Sequence, residues 1–169
     1  MKINVGTILE VANRQCSVEI TNNCSKYVLS KPSVHIVSGF CADPLPPLIN
    51  PWSSGNALFA KTPNTACGSV GVFTYDLVDH VKKETTMKIA VMFSVPYDFN
   101  LYSNWFAVGI FDKYTVCNYE LYYKMYYDND KTFTRSKADG NSLTHEDSDV
   151  TVMATMSNSY QPVMKVEVN

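Results

Sequence analysis

Apolar side chains recur at every second residue in six separate stretches of this chain, a period that few architectures can use. The stretches are Val18-Ile20, Val34-Ile36, Val70-Val72, Phe106-Val108-Ile110, Val150-Val152-Ala154 and Met164-Val166-Val168. Successive side chains of a strand point to opposite faces, so each stretch reads as a strand with one buried face. Turn-rich stretches lie between them: Thr21 to Lys26, Asp43 to Gly55 with four prolines, Lys61 to Gly68, and Asp128 to Asp149. Many short strands at such spacing predict an all-β fold, an antiparallel β-sandwich, and nothing follows the helix and strand alternation of a parallel α/β sheet. No internal repeat is visible. At 169 residues and 46% hydrophobic, the chain has the size of one domain over 1–169.

Two segments break the alternation. In Thr7-Ile8-Leu9-Glu10 a hydroxyl precedes a carboxylate by three positions, the reciprocal pattern that opens a helix, with Ile8, Val11 and Ala12 on one face. Residues 1–15 then form a short amphipathic segment ahead of the first strand. In Tyr119 to Tyr127, Tyr119, Tyr122, Tyr123 and Tyr126 share one helical face while Leu121 and Met125 share another. The sandwich is therefore predicted to carry two short flanking α-helices. A tyrosine stripe at this spacing serves packing more often than ligand binding. Its neighbour in sequence narrows the choice: Phe93-Ser-Val-Pro-Tyr-Asp-Phe-Asn-Leu-Tyr-Ser-Asn-Trp-Phe106 is rich in rings and small hydroxyls and reads as a loop. A quaternary ammonium is attracted to ring faces, and tyrosine hydroxyls can hydrogen-bond an adjoining phosphate. That chemistry points to phosphocholine, and such rings favour the membrane–water boundary.

Charge and cysteine usage exclude other classes. The net charge of −2 comes from 14 basic and 16 acidic residues without a long run of either sign, so the electrostatic footprint of a nucleic-acid binder is missing. Cys16, Cys24, Cys41, Cys67 and Cys117 are odd in number and widely spaced, unlike a disulfide-stapled miniprotein, and no Cys/His pair has zinc-ligand spacing. His35, His80 and His145 lack partners at ligand or triad spacing. The cluster His145-Glu146-Asp147-Ser-Asp149 lacks the alternation and central glycine of a calcium loop, and Gly68-Ser-Val-Gly71 lacks the lysine of a phosphate loop. No enzyme, metal or cofactor is expected. No apolar run is long enough for a transmembrane helix, and the N-terminus shows no signal-peptide core. Three fates fit these features: residence in the cytosol, release by an unusual route, or a mature form already processed.

The runs Gly68-Ser-Val70-Gly71-Val72, Phe93 to Trp105 and Tyr122-x-x-x-Tyr126-Tyr127 stand in an order and spacing similar to those of the actinoporin family, the pore-forming cytolysins of sea anemones, and in particular its members in fishes and other animals. The resemblance runs from about Thr7 to the C-terminus. It implies a sandwich flanked by two helices, no enzymatic activity, binding of phosphocholine lipids such as sphingomyelin, homo-oligomerisation on membranes into cation-permeable pores, and a secreted or released protein acting at a target cell membrane, with cytosolic residence before release left open. By position it implies a head-group pocket of Ser38, Val70, Ser94, Pro96, Tyr122, Tyr126 and Tyr127. Ser38 reads equally as a turn serine before Gly39. The resemblance further implies membrane contact by Leu101, Tyr102, Trp105 and Phe106, and a pore segment with Ile3, Val5, Ile8, Leu9 and Val11.

Departures from the family pattern define a rival. Leu101 stands where anemone members carry an exposed tryptophan, and Asp128-Asn-Asp-Lys131 replaces their Arg-Gly-Asp. About fifteen residues precede the first strand; as a helix they would reach roughly 20 Å against a bilayer core of about 30 Å. The alternative is a non-lytic module of the same fold that binds a lipid or, lectin-like, a glycan.

Overall fold

The computed structural model describes residues 13–98 and 102–169. The expected helix at Thr7 to Ala12, the pore-segment positions Ile3, Val5, Ile8, Leu9 and Val11, and Leu101 lie outside the described residues.

Twelve strands and one helix are described: β1 (Gln15–Asn22), β2 (Tyr27–Ser38), β3 (Phe40–Asp43), β4 (Leu48–Ile49), β5 (Ser53–Ala60), β6 (Ser69–Asp79), β7 (Glu84–Val95), β8 (Trp105–Phe111), α1 (Tyr119–Tyr127), β9 (Phe133–Lys137), β10 (Leu143–Asp147), β11 (Val150–Met156) and β12 (Val163–Val168). Sheet A runs β10-β11-β12-β1-β5-β3 and sheet B runs β4-β2-β6-β7-β8-β9. All pairings are antiparallel except β1 with β12, which is parallel. The six alternating stretches all fall in strands. The stretch from Asp128 to Asp149, expected as turn, contains β9 and β10. The segment from Phe93 to Phe106, expected as loop, begins inside β7 and ends inside β8.

The two sheets close on a continuous apolar layer. Phe59 of sheet A lies between rings of sheet B, 5.9 Å from Phe73 and 4.6 Å from Phe93, and all three are wholly buried. Each such ring contributes about 1.5–3 kcal/mol of burial. A second, smaller layer covers the outer face of sheet B, where Val72, Ala90, Met92, Ala107, Phe111 and Phe133 meet Leu121, Tyr122 and Met125 of α1. Cys16 and Cys24 are buried free thiols.

Polar groups fasten the edges. Asn22 is fully buried, donating to the carbonyls of Tyr27 (2.9 Å) and Ile49 (3.1 Å) and accepting from Cys24 N–H (3.0 Å). At one seam between the sheets, Thr134 Oγ1 of β9 meets His145 Nδ1 of β10 at 3.1 Å. His145, within the stretch expected as turn, is an inward residue of a strand and is buried.

Burial holds the His145 imidazole below its ordinary pKa, against a smaller upward pull from Asp147. The unfolded chain then binds more protons than the folded one between the ordinary value and the depressed one. Stability is full above that window and falls as pH drops through it. Urea unfolding should give a lower midpoint at about pH 5.5 than at about pH 7.5, and His145→Gln should flatten the difference.

Candidate functional site

The site is built by the register of sheet B and by one short helix. Ser38 of β2 is paired with Val70 of β6, and Val70 with Ser94 of β7, so the three residues form a lateral row across neighbouring strands. The row continues to Trp105 of β8 and Lys137 of β9. Val70 packs against the α1-side layer, which places the row on the outer face of the sheet. Pro96 follows β7 directly. Gly68, at the entry to β6, lies so close to Val95 and Pro96 that any Cβ there would meet the Val95 carbonyl oxygen.

Helix α1 starts where Asn118 Oδ1 accepts the Leu121 N–H at 3.0 Å, with Glu120 in the first turn and Lys124 in the last, each matching the helix dipole. Leu121 and Met125, one turn apart, are buried on sheet B, and Met125 is wholly so. The far end is held from β9: Arg135 Nη1 donates to the carbonyls of Met125 (2.9 Å) and Asp128 (2.7 Å). These are the free carbonyls that every helix C-terminus leaves.

With its apolar side fixed, α1 presents five tyrosines in a closed circuit of ring contacts. Tyr119 and Tyr122 are 5.9 Å apart, Tyr122 and Tyr126 stack at 5.6 Å, and Tyr126 meets Tyr127 edge-on at 4.6 Å. Tyr127 and Tyr123 lie at 4.6 Å, and Tyr123 returns to Tyr119 at 6.3 Å. Exposure rises from Tyr122, buried, through Tyr126 to Tyr127, 57% exposed. Val70 of the sheet row packs in the same apolar layer as Tyr122 and Tyr126, joining the row to the ring circuit, and Ser94 and Tyr102 are electrostatic neighbours of the Tyr126 phenol. Burial raises the Tyr122 and Tyr126 pKa values, so both phenols stay neutral and keep a proton to donate.

Of the expected pocket, Ser38, Val70 and Ser94 share the sheet row, Pro96 adjoins it, and Tyr122, Tyr126 and Tyr127 share the ring circuit. Of the expected membrane-contacting set, Tyr102 is 62% exposed and Trp105 is partly exposed beneath the Lys137 ammonium, 5.7 Å away. Phe106 does not belong with them: it is 0% exposed, because it follows Trp105 on a strand and points into the layer between the sheets.

A second cluster at this end of the sandwich carries no local sequence signal, since four separate segments build it. Arg14 lies 4.3 Å from the Tyr160 ring and 5.6 Å from that of Tyr97, and Lys61 lies 5.6 Å from the Tyr97 ring. Both cations are largely buried. Among the described residues no three His, Cys, Asp or Glu side chains converge to hold a metal ion, and no helix is long and apolar enough to cross a membrane. Ring faces, neutral hydroxyls and buried cations at one end suit a small ligand bearing both a quaternary ammonium and a phosphate.

A family model described as sea anemone cytotoxic protein matches residues 42–168. Bryoporin of Physcomitrium patens is 34% identical over 90 residues, 53% of this chain and 48% of that protein. DELTA-actitoxin-Aas1a of Anthopleura asiatica is 40% identical over 78 residues, 44% of this chain and 34% of that protein. The matches thus span about half the length of the first relative and a third of the second. Among solved structures, the lipid binding protein Nakanori superposes with a TM-score of 0.71 at 12% identity, over 92% of this chain and 71% of that one. The Xerocomus chrysenteron lectin XCL gives 0.54 at 11% identity, over 93% and 99%. At these identities the likeness to both structures is one of fold.

The Arg135 contacts predict the cost of loosening α1. Arg135→Met leaves two helix carbonyls without their donor and should lower stability by about 1.5–3 kcal/mol in urea unfolding. Near-ultraviolet circular dichroism, which reads the packed tyrosines, should weaken more than the far-ultraviolet signal of the sheets.

Proposed function

We propose that this chain, which belongs to the sea anemone cytotoxic protein family, binds the phosphocholine head group of membrane lipids at the tyrosine end of sheet B. Its family is one of cytotoxic proteins and not of enzymes. The observation that carries the reading is the contact between two arrays from distant parts of the chain: the ring circuit of α1 and the row Ser38, Val70, Ser94, joined where Val70 packs in one apolar layer with Tyr122 and Tyr126.

In this reading the trimethylammonium group lies against the Tyr126 and Tyr127 rings over buried Tyr122. Ring quadrupoles attract a cation most strongly where water is excluded. The phosphate accepts hydrogen bonds from neutral phenols and from Ser38 or Ser94, while Val70 and Pro96 supply apolar wall. Tyr102 and Trp105 sit at the membrane–water interface, and Leu101 is a further candidate for membrane contact. Sphingomyelin and phosphatidylcholine share the head group, so the site reads phosphocholine first and any preference for sphingomyelin comes from contacts below it. The protein acts from outside, as a released molecule at a target membrane, and assembles there with further copies into a cation-permeable pore. Residues Ile3, Val5, Ile8, Leu9 and Val11 are the candidates to line it.

Vesicles of phosphatidylcholine, with and without sphingomyelin, test both levels. Sedimentation should show binding to both compositions, and a trapped dye should leak if assembly opens a pore. Binding without leakage would remove the pore and leave the head-group site. Tyr126→Ala and Tyr127→Ala should each weaken vesicle binding by about 1–2 kcal/mol. Tyr114→Ala, which removes an exposed ring outside the circuit, should leave binding unchanged. Wild-type affinity in Tyr126→Ala would place the lipid elsewhere.

A further inference from the structure

Trp52 projects from the end of the sandwich opposite the tyrosine circuit and is 71% exposed. It occupies the third position of the tight turn Asn50-Pro51-Trp52-Ser53, closed by a hydrogen bond from Ser53 N–H to the Asn50 carbonyl at 3.1 Å. Its φ is +62°. Proline second and a left-handed residue third is a turn that ordinarily takes glycine in the third place. A bulky side chain there strains the backbone. The exposed ring offsets little of that strain by burial, so it contributes little to the fold it burdens. Strain of this kind is a pointer to function when it is observed and not assumed.

The strained turn is rigidly mounted. Trp52 N–H donates to the Asn22 carbonyl at 2.7 Å, and Asn22 is the buried amide that also ties Tyr27 and Ile49. Ser53 and Ser54 pair with Asn22 and Thr21 of β1. Around this mount stand uncharged amides and hydroxyls. Thr21 Oγ1 and Ser54 Oγ are 3.0 Å apart, Asn23 Nδ2 donates to Asn169 Oδ1 at 3.3 Å, and Asn50 is exposed in the turn itself. Each keeps donor or acceptor capacity for a further partner.

We propose that Trp52 and these polar neighbours form a binding site for a neutral saccharide. The flat indole face covers the apolar side of a sugar ring, and neutral amides and hydroxyls match its hydroxyl groups as both donors and acceptors. A protein-docking hot spot would instead centre its aromatic anchor in an apolar, desolvated patch, which uncharged polar neighbours do not provide. The site is independent of the lipid reading. The eight residues of β1 separate the two ends by roughly 25 Å. A molecule seated on a bilayer by its tyrosine end would turn Trp52 outward, toward surface glycans.

The chain has two tryptophans, Trp52 and Trp105, so indole signals can be assigned by substitution. Glucose, galactose, N-acetylglucosamine and lactose are titrated while the indole N–H resonances and tryptophan fluorescence are followed. A saturable response of the Trp52 resonance to at least one sugar is expected. Trp52→Gly should weaken that sugar's binding roughly tenfold or more. Its melting temperature should be equal to or above that of the parent, and its vesicle binding unchanged. No saturable response to any of the four sugars overturns the proposal, as does a response that survives Trp52→Gly. So does a fall in melting temperature, which would make the ring structural, or Trp52-dependent self-association without sugar binding.

Discussion

Sheet B has two apolar faces, and the candidate site follows from that. Antiparallel sheets commonly leave one face to solvent. Here Phe73, Phe93 and Val108 point between the sheets, while Val72, Ala90, Met92 and Ala107 form an apolar floor on the opposite side. An uncovered floor of that size would be costly in water. Helix α1 covers it with Leu121, Tyr122 and Met125, and the small side chains of Ala90 and Ala107 leave room for it. The helix cannot dock by this face without carrying its tyrosines to the end of the sheet where Ser38, Val70 and Ser94 lie. Core packing therefore positions the recognition surface, and the rings need no separate scaffold.

The end that carries the rings also gathers charge in an unusual way for a chain with a net charge of −2. Arg14 and Lys61 are largely buried against tyrosine faces and Lys137 sits over Trp105, while the tyrosines nearest the sheet row are held neutral by burial. Cations stacked on rings lose less on leaving water than bare ones. Three cations are thus set against rings at this end of the molecule, although the whole chain is mildly acidic.

Much of this was legible in the sequence, for identifiable reasons. β1, β2, β6, β8, β11 and β12 announce themselves by alternation because one face of each is wet or the inward residues are strongly apolar. β7 does not: from Ala90 to Val95 both faces are buried and most side chains on either face are apolar, so alternation does not stand out. β10 alternates too, but its second inward residue is His145, a polar side chain in a buried position, so the stretch passed for a loop. The tyrosines of α1 were visible because helical spacing is local. The row of Ser38, Val70 and Ser94 depends on register between strands far apart in sequence; only the family resemblance brought those residues together. Phe106 is instructive in another way. Its alternation with Val108 and Ile110 already put it on the buried face, and grouping it with Trp105 as a membrane residue disregarded that period. Arg135, which holds the helix end, carries no signal without knowledge of which carbonyls it will meet.

The parallel pairing of β1 with β12 bears on how the molecule is made. β12 lies between β1 and β11 in sheet A, so before residues 163–168 emerge the sheet exists as two unconnected halves, β1-β5-β3 and β10-β11. Sheet B needs no strand later than β9 and can form first. During synthesis its inner apolar face would then wait, half covered, for the last strand to arrive. Such an exposed surface is where a nascent chain draws chaperones or aggregates. The sandwich closes only when β12, the last of the described strands in chain order, joins β1 to β11.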